Sequence, residues 1–228
     1  MAKLYFTILI TFSFASSFAQ KLSQITIDNS GHSDIITFLV DESVMVNITK
    51  DGKIIDWGIE YYNTVNTGMY PGILQKYMGR EEYYPSTDNE AYRGKIKYIG
   101  RTAITYYSSE ENEAFKGKIK TIGSNLFDYY PAYENAAFKG NIKNAGTISF
   151  TYYSSFDEIY KGKIKTVGNT NLTYYGLVDD KAYRGKIKTI GQSLFTYYSS
   201  YDRREYSGSL KTGYRMLYSS GIKYYIKN

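Results

Sequence analysis

Basic side chains recur at fixed places in this chain. Five copies of one motif occupy residues 92–100, 115–123, 138–146, 160–168 and 183–191, each running from an aromatic residue through a glycine and an isoleucine to a second glycine. The three positions flanking the first glycine and the isoleucine (Arg93, Lys95, Lys97; Lys116, Lys118, Lys120; Lys139, Asn141, Lys143; Lys161, Lys163, Lys165; Arg184, Lys186, Lys188) are basic in fourteen of fifteen cases. Lysine offers donors and no acceptor, so a ladder of lysines is suited to a polyanion. Between the motifs come Tyr-Tyr pairs, and the second tyrosine of each (Tyr107, Tyr130, Tyr153, Tyr175, Tyr198) reads as sharing a face with the lysines. Lys95, Lys97, Lys118, Lys120, Lys163, Lys165, Lys186 and Lys188 with those five tyrosines are the candidate ligand contacts. A second reading stands beside it: lysine on an exposed sheet face keeps an array soluble and needs no ligand.

Catalytic chemistry is poorly served. There is no cysteine, and His32 is the sole histidine. Neither a Gly-x-Ser-x-Gly elbow nor a glycine loop with Lys-Ser/Thr is present, which removes the usual nucleophile, zinc and nucleotide sites. His32 lies among alternating oxygens at residues 28–34, but a calcium loop's glycine and glutamate placement is missing and a polar turn is the expectation. Asp56, Glu60, Asp88 and Glu90 are the carboxylates that a glycan hydrolase could draw on. The expectation is no enzyme, no metal and no cofactor.

Positioning falls to an internal repeat. Eight Tyr-Tyr pairs begin at Tyr61, Tyr83, Tyr106, Tyr129, Tyr152, Tyr174, Tyr197 and Tyr224, all but the last spaced by 22 or 23 residues. A period in this range marks one supersecondary unit copied along an array. Each unit reads as a β-hairpin, the isoleucine segment turning at the second glycine into an apolar, threonine-rich segment that ends in the tyrosines. Period-two alternation places Ile187 and Thr189 on one face and Lys186, Lys188 and Ile190 on the other. A three-residue loop at residues 191–193 then sets Ile187 opposite Tyr197 and Thr189 opposite Phe195, giving one apolar face and one face of lysine, threonine and second tyrosines. On that assignment Ile164→Ala is costly and Lys163→Ala nearly neutral. About eight hairpins make about sixteen strands, more than an open sheet carries without twisting or rolling up. The fold class is therefore all-β: an extended, twisted or rolled antiparallel sheet of tandem hairpins over residues 50–228. Residues 20–49 read as two or three strands that cap the array's open end.

The Tyr-x-Gly-x-Ile-Lys core, followed by Leu172 to Tyr175, resembles MORN-type repeats, with isoleucine at 96, 119, 142, 164 and 187 where that family carries tryptophan. The resemblance spans residues 50–228 and implies stacked antiparallel hairpins with scaffolding or membrane-proximal roles. Glycan- and choline-binding hairpin repeats look similar in period and tyrosine content, although Trp57 is the only tryptophan here.

The N-terminus resembles an export signal: Lys3, an apolar run at residues 4–14 and a small-x-small site before Gln20. The apolar run is shorter than a spanning helix needs, and no cysteine follows to carry a lipid. An exported protein, periplasmic, cell-surface or secreted and not a lipoprotein, is expected, with residues 1–19 removed and no transmembrane span left. Net charge is +6 and the pI about 9.1, yet no nucleic-acid motif is present and an exported chain seldom meets nucleic acid. The expected function is non-catalytic binding or scaffolding at the cell envelope, the lysine/tyrosine face meeting an anionic polysaccharide, a lipid headgroup or an envelope protein. The alternative is a purely structural or protein-interaction element.

Overall fold

The computed structural model describes residues 20–29, 34–41, 43–60, 73–111 and 113–227. The expected leader at residues 1–19, His32, the Tyr61-Tyr62 pair and Tyr70 lie outside the described residues.

Repeating strands build an open eleven-stranded antiparallel sheet in which sequence neighbours are spatial neighbours throughout. It starts at β6 (Glu81–Tyr83), continues through the pairs β7 (Ile96–Ile99) and β8 (Thr102–Tyr106), β9 (Ile119–Ile122) and β10 (Asn125–Tyr129), β11 (Ile142–Ala145) and β12 (Ile148–Tyr152), and β13 (Ile164–Val167) and β14 (Thr170–Tyr174), and ends with β15 (Ile187–Ile190) and β16 (Ser193–Leu194). A short ladder of β17 (Thr196–Tyr197) and β18 (Leu210–Thr212) repeats the pattern once more. Tandem hairpins are thus the architecture, and neither large sheet closes into a barrel.

Two features of the hairpin differ from the alternation argument. The turn has two residues, not three: Ile190 pairs with Ser193 and Thr189 with Leu194, leaving Gly191 and Gln192 between them, with Gly191 at φ 55°. A positive φ in a two-residue hairpin loop matches the twist of the strands, and glycine adopts it without strain. Charges do not enter the aromatic columns, because the returning strand soon changes partner. In the preceding unit Thr170 pairs back to Val167, while Leu172 and Tyr174 pair forward to Ile190 and Ile187. That forward pairing contains a register shift, so Lys188 is an extra residue between the two pairs. The bulge turns Ile187 and Ile190 to the same side; both are buried, whereas alternation placed Ile190 with the lysines. The isoleucines do share the face of each pair's first tyrosine, as expected: Ile119 opposes Tyr106, Ile142 opposes Tyr129 and Ile164 opposes Tyr152.

Residues 20–49 do more than close an end. β1 (Lys21–Asp28), β2 (Ile35–Val40), β3 (Val44–Thr49), β4 (Ile54–Glu60) and β5 (Leu74–Lys76) join β19 (Met216–Ser219) and β20 (Ile222–Lys227) in a seven-stranded sheet, order β19-β20-β1-β2-β3-β4-β5, with β20 parallel to β1. This sheet covers the array's apolar face, and the two share one core. Phe38 meets Phe127 at 5.1 Å between ring centres. β1 crosses the array diagonally: Gln20 reaches the second hairpin's turn through Asn125 (2.8 Å), whereas Asn29 accepts the Ile187 N–H (2.9 Å) and bonds Tyr197 Oη (3.0 Å) three units on. Gly52, at φ 78°, lets the β3–β4 turn press on Tyr129, whose hydroxyl lies 2.1 Å from where a Cβ would stand. Glu60 and Lys223 form a buried ion pair at 2.8 Å although β4 and β20 are separated by three strands, so the covering sheet is strongly curled.

Candidate functional site

Each tyrosine pair is fixed from both ends. The first tyrosine is buried, and its hydroxyl donates to the isoleucine carbonyl ten residues earlier: Tyr106 to Ile96 (3.0 Å), Tyr129 to Ile119 (2.7 Å), Tyr152 to Ile142 (2.9 Å), Tyr174 to Ile164 (2.9 Å) and Tyr197 to Ile187 (2.9 Å). The second tyrosine reaches forward: Tyr107 donates to Phe127 O (2.7 Å), Tyr130 to Phe150 O (2.9 Å), Tyr153 to Leu172 O (3.0 Å) and Tyr175 to Phe195 O (2.7 Å). Between them the aromatic residue before each motif glycine completes a cluster, as where Tyr160 lies 4.7 Å from Tyr153 and stacks on Tyr174 at 6.4 Å. Edge-to-face and offset geometry at these distances stabilises aromatic groups beyond their buried area. The second tyrosines are half-buried, or buried at Tyr175, and the hydroxyls of Tyr107, Tyr130, Tyr153 and Tyr175 are already engaged. Their rings carry what lies on them.

Lysines lie on them. The basic ladder divides into three columns rather than one plane. The lysine just before the isoleucine bends to the buried tyrosine: Lys95 over Tyr106 (5.1 Å), Lys118 over Tyr129 (4.9 Å), Lys163 over Tyr174 (5.2 Å) and Lys186 over Tyr197 (5.4 Å). In this inner column Lys95, Lys118 and Lys186 also donate to the carbonyls of Gly117, Gly140 and Gly208, tying each unit to the next. Desolvation holds all four ammonium groups below the ordinary lysine pKa. The lysine after the isoleucine covers the second tyrosine: Lys97 over Tyr84 (5.3 Å), Lys120 over Tyr107 (5.4 Å), Lys143 over Tyr130 (5.9 Å), Lys165 over Tyr153 (5.6 Å) and Lys188 over Tyr175 (5.2 Å), continued by Lys211 over Tyr198 (5.2 Å). These outer lysines stay half-exposed or exposed beside bonded threonine pairs such as Thr173–Thr189 (2.6 Å) and Thr151–Thr166 (2.7 Å). The third column, Arg93, Lys116, Lys139, Lys161 and Arg184, is exposed at the loop ends.

Acids trim the ladder in places. Lys120 bonds Glu111 and Lys116 bonds Glu90, both at 2.6 Å. Lys163 feels Asp34 and Asp28 of the covering sheet, and Asp34 lies 3.8 Å from Lys50. Asp34 is buried, and burial raises its carboxyl pKa against the opposing pull of Lys50. The carboxylates considered for hydrolysis are dispersed: Glu60 is spent on Lys223, Glu90 on Lys116, and Asp56 is exposed on β4. Among the described residues no cluster of three or more His, Cys, Asp or Glu is placed to hold a metal, and no helix is long and apolar enough to cross a membrane.

Reading the sequence missed a row at the loop tips. The third residue after each second tyrosine is Tyr133, Phe156, Val178 and Tyr201 in four successive units, and these are 88%, 89%, 99% and 95% exposed. Hydrogen-bonded loops hold them out. Asp157 accepts from Ser154 N (2.8 Å) and Asp202 from Ser199 N (2.7 Å), while Asn135 takes Ser155 N (3.0 Å) and Asp180 takes Ser200 N (3.0 Å) from the loop beyond. The signal was the fixed offset from each Tyr-Tyr pair.

These features define a class, a two-layered β-hairpin repeat protein with a lysine-on-tyrosine ladder. No family model, curated protein or solved structure matches the chain.

Proposed function

We propose that this is a non-catalytic binding protein whose outer lysine column meets an anionic glycan. One observation supports it above the rest: six successive units each hold a lysine over a tyrosine ring, at Lys97, Lys120, Lys143, Lys165, Lys188 and Lys211, of which Lys120 is already bonded to Glu111. Cations restrained in this way lose less side-chain freedom on binding than free lysines do. Two strands separate equivalent lysines, a spacing of about 10 Å, which suits an extended polymer with regularly placed carboxylates. With the leader read at residues 1–19, the encounter belongs at the cell envelope.

Binding of this kind responds to salt, because charges about 10 Å apart are screened on that scale. The mature protein should be retained on immobilised polygalacturonate at about 50 mM salt and elute by several hundred millimolar. Changing Lys97, Lys143, Lys165, Lys188 and Lys211 together to glutamate should abolish retention while the circular dichroism spectrum is kept. Equal retention of both folded proteins at low salt would defeat the reading. A second reading, a protein-interaction element, draws on the apolar loop tips, since a row of exposed large side chains marks a contact surface. Salt-resistant self-association, lost when Tyr133, Phe156 and Tyr201 become serine, would favour it.

A further inference from the structure

The inner column is not evenly compensated. Over its middle the covering sheet supplies Asp28 and Asp34, which both favour the charged form of Lys163. Over its start it supplies Lys53, whose charge works against Lys95, while at Lys118 the Asp51 carboxylate opposes desolvation and outweighs Lys53. Lys53 is itself paired with Asp51 at 2.8 Å and Lys116 with Glu90 at 2.6 Å, which leaves Lys95 and Lys118 with glycine carbonyls as hydrogen-bond acceptors. A partly desolvated ammonium group opposed by a like charge is costly to keep, and an anion beside Lys95 would relieve it.

Space for one is present. A cavity of about 630 Å³ opens between the β3–β4 turn and the first units of the array, lined by Lys53, Lys95 and Lys118 together with Trp57, Tyr83 and Tyr106. That volume falls in the range of small-molecule sites, roughly 300–1,000 Å³. Its aromatic wall is built, not incidental. Glu81 accepts from Trp57 Nε1 (2.7 Å) through one carboxylate oxygen and from Tyr83 Oη (3.2 Å) through the other, which orients both rings. Tyr83 is half-exposed, unlike the buried first tyrosines of the units that follow.

We propose that this cavity binds a carboxylated sugar ring, its carboxylate on Lys53, Lys95 and Lys118 and its C–H face on Trp57 and Tyr83. The mixture of groups selects the class. A small inorganic anion makes no use of the aromatic wall and meets the negative Asp51. A neutral sugar leaves the lysines uncompensated. An acidic sugar satisfies the cations, covers the rings, and offers hydroxyls that can donate to the Asp51 carboxylate. The site is separate from the outer lysine column and does not depend on it.

Trp57 is the only tryptophan of the chain, so its fluorescence reports on this cavity and on the shallow recess beside Asp56 and Lys76 that it also lines, and the Lys53 and Lys95 variants below assign the response to the cavity. The full mature chain is titrated at low salt with galacturonate, trigalacturonate, galactose and inorganic phosphate. Saturable emission changes with both acidic sugars, at least tenfold weaker for galactose and phosphate, are expected. Equal affinity for monomer and trimer identifies a free sugar acid as sufficient, and tighter trimer binding identifies the end of an acidic polysaccharide. Lys95→Gln should weaken binding about tenfold, the loss of one charge-assisted contact. Lys53→Gln, at an exposed rim position that cannot disturb the core, should weaken it severalfold with folding unchanged. The five-lysine outer variant should titrate like the wild type, which separates failure here from failure of the proposed glycan surface. No saturable response to either acidic sugar, phosphate binding as tightly as galacturonate, or unchanged affinity in Lys53→Gln and Lys95→Gln would overturn the proposal.

Discussion

Ile164→Ala should lower the unfolding free energy by about 2–4 kcal/mol, the usual cost of emptying a buried isoleucine site. Ile164 has no solvent exposure and opposes Tyr152 across the bulge. Its carbonyl accepts the Tyr174 hydroxyl at 2.9 Å, so the cavity forms beside an aromatic cluster that cannot easily collapse. Lys165→Ala, one residue along, should fall within about 0.5 kcal/mol because the side chain is exposed. Lys163→Ala belongs between them. Alternation in sequence made it a solvent-side residue of no consequence, but its ammonium lies on the Tyr174 ring and offsets the buried Asp34, and its loss should cost about 1 kcal/mol. Urea titrations with an unchanged m-value give all three numbers. Equal losses at Ile164 and Lys165 would mean that the two sheets do not enclose Ile164.

Why Lys163 was misjudged shows how far the sequence is legible. The repeat, the hairpin unit, the turn glycines and the shared face of isoleucine and first tyrosine all follow from period and residue type, and the structure has them. The bulge does not follow. It adds one residue at Lys188 and its equivalents, and nothing in Ile-Lys-Thr-Ile distinguishes a bulged strand from a regular one until the partner's register is known. Period-two counting therefore sent Ile190 outward; it also kept Lys186 there, although the long Lys186 side chain bends back over the Tyr197 ring. The covering sheet was hidden for a different reason. Its strands were visible in residues 20–49, but Asn29 meets Ile187 across 158 positions, and no local pattern records that distance. The candidate site divides along the same line. The outer lysines were legible as basic positions, since they repeat, but not as a column separate from Lys186 and its equivalents. The cavity was not, because Lys53, Trp57, Tyr83 and Lys95 come from unlike segments and converge only when the two sheets pack.

Raising the pH should unfold the protein cooperatively above about pH 10, where ordinary tyrosine begins to ionise. Burial lifts the phenol pKa of Tyr106, Tyr129, Tyr152, Tyr174 and Tyr197 above that value, and each hydroxyl donates a hydrogen bond that a phenolate cannot make. A group whose folded pKa is raised contributes stability that is complete below its unfolded value and is lost as pH climbs towards the folded one, on the order of 1.4 kcal/mol per unit for each phenol. The inner lysines act in the opposite sense. Desolvation lowers the pKa of Lys95, Lys118, Lys163 and Lys186, so their deprotonation relieves a cost to the folded state, and this gain ends near the unfolded value of about 10.4. Stability should therefore hold or rise slightly up to about pH 10 and then fall steeply, because five phenols continue to lose ground after the lysines have nothing more to give. Tyrosinate absorbance and circular dichroism followed together decide it. The buried phenols should ionise in the same transition in which the β signal is lost, and Tyr152→Phe, which has no phenol to ionise at one of these sites, should reduce the steepness of that fall. Gradual ionisation of all tyrosines with the β signal intact would show that the first tyrosine of each pair is open to solvent, and the aromatic clusters could not then be what joins one unit to the next.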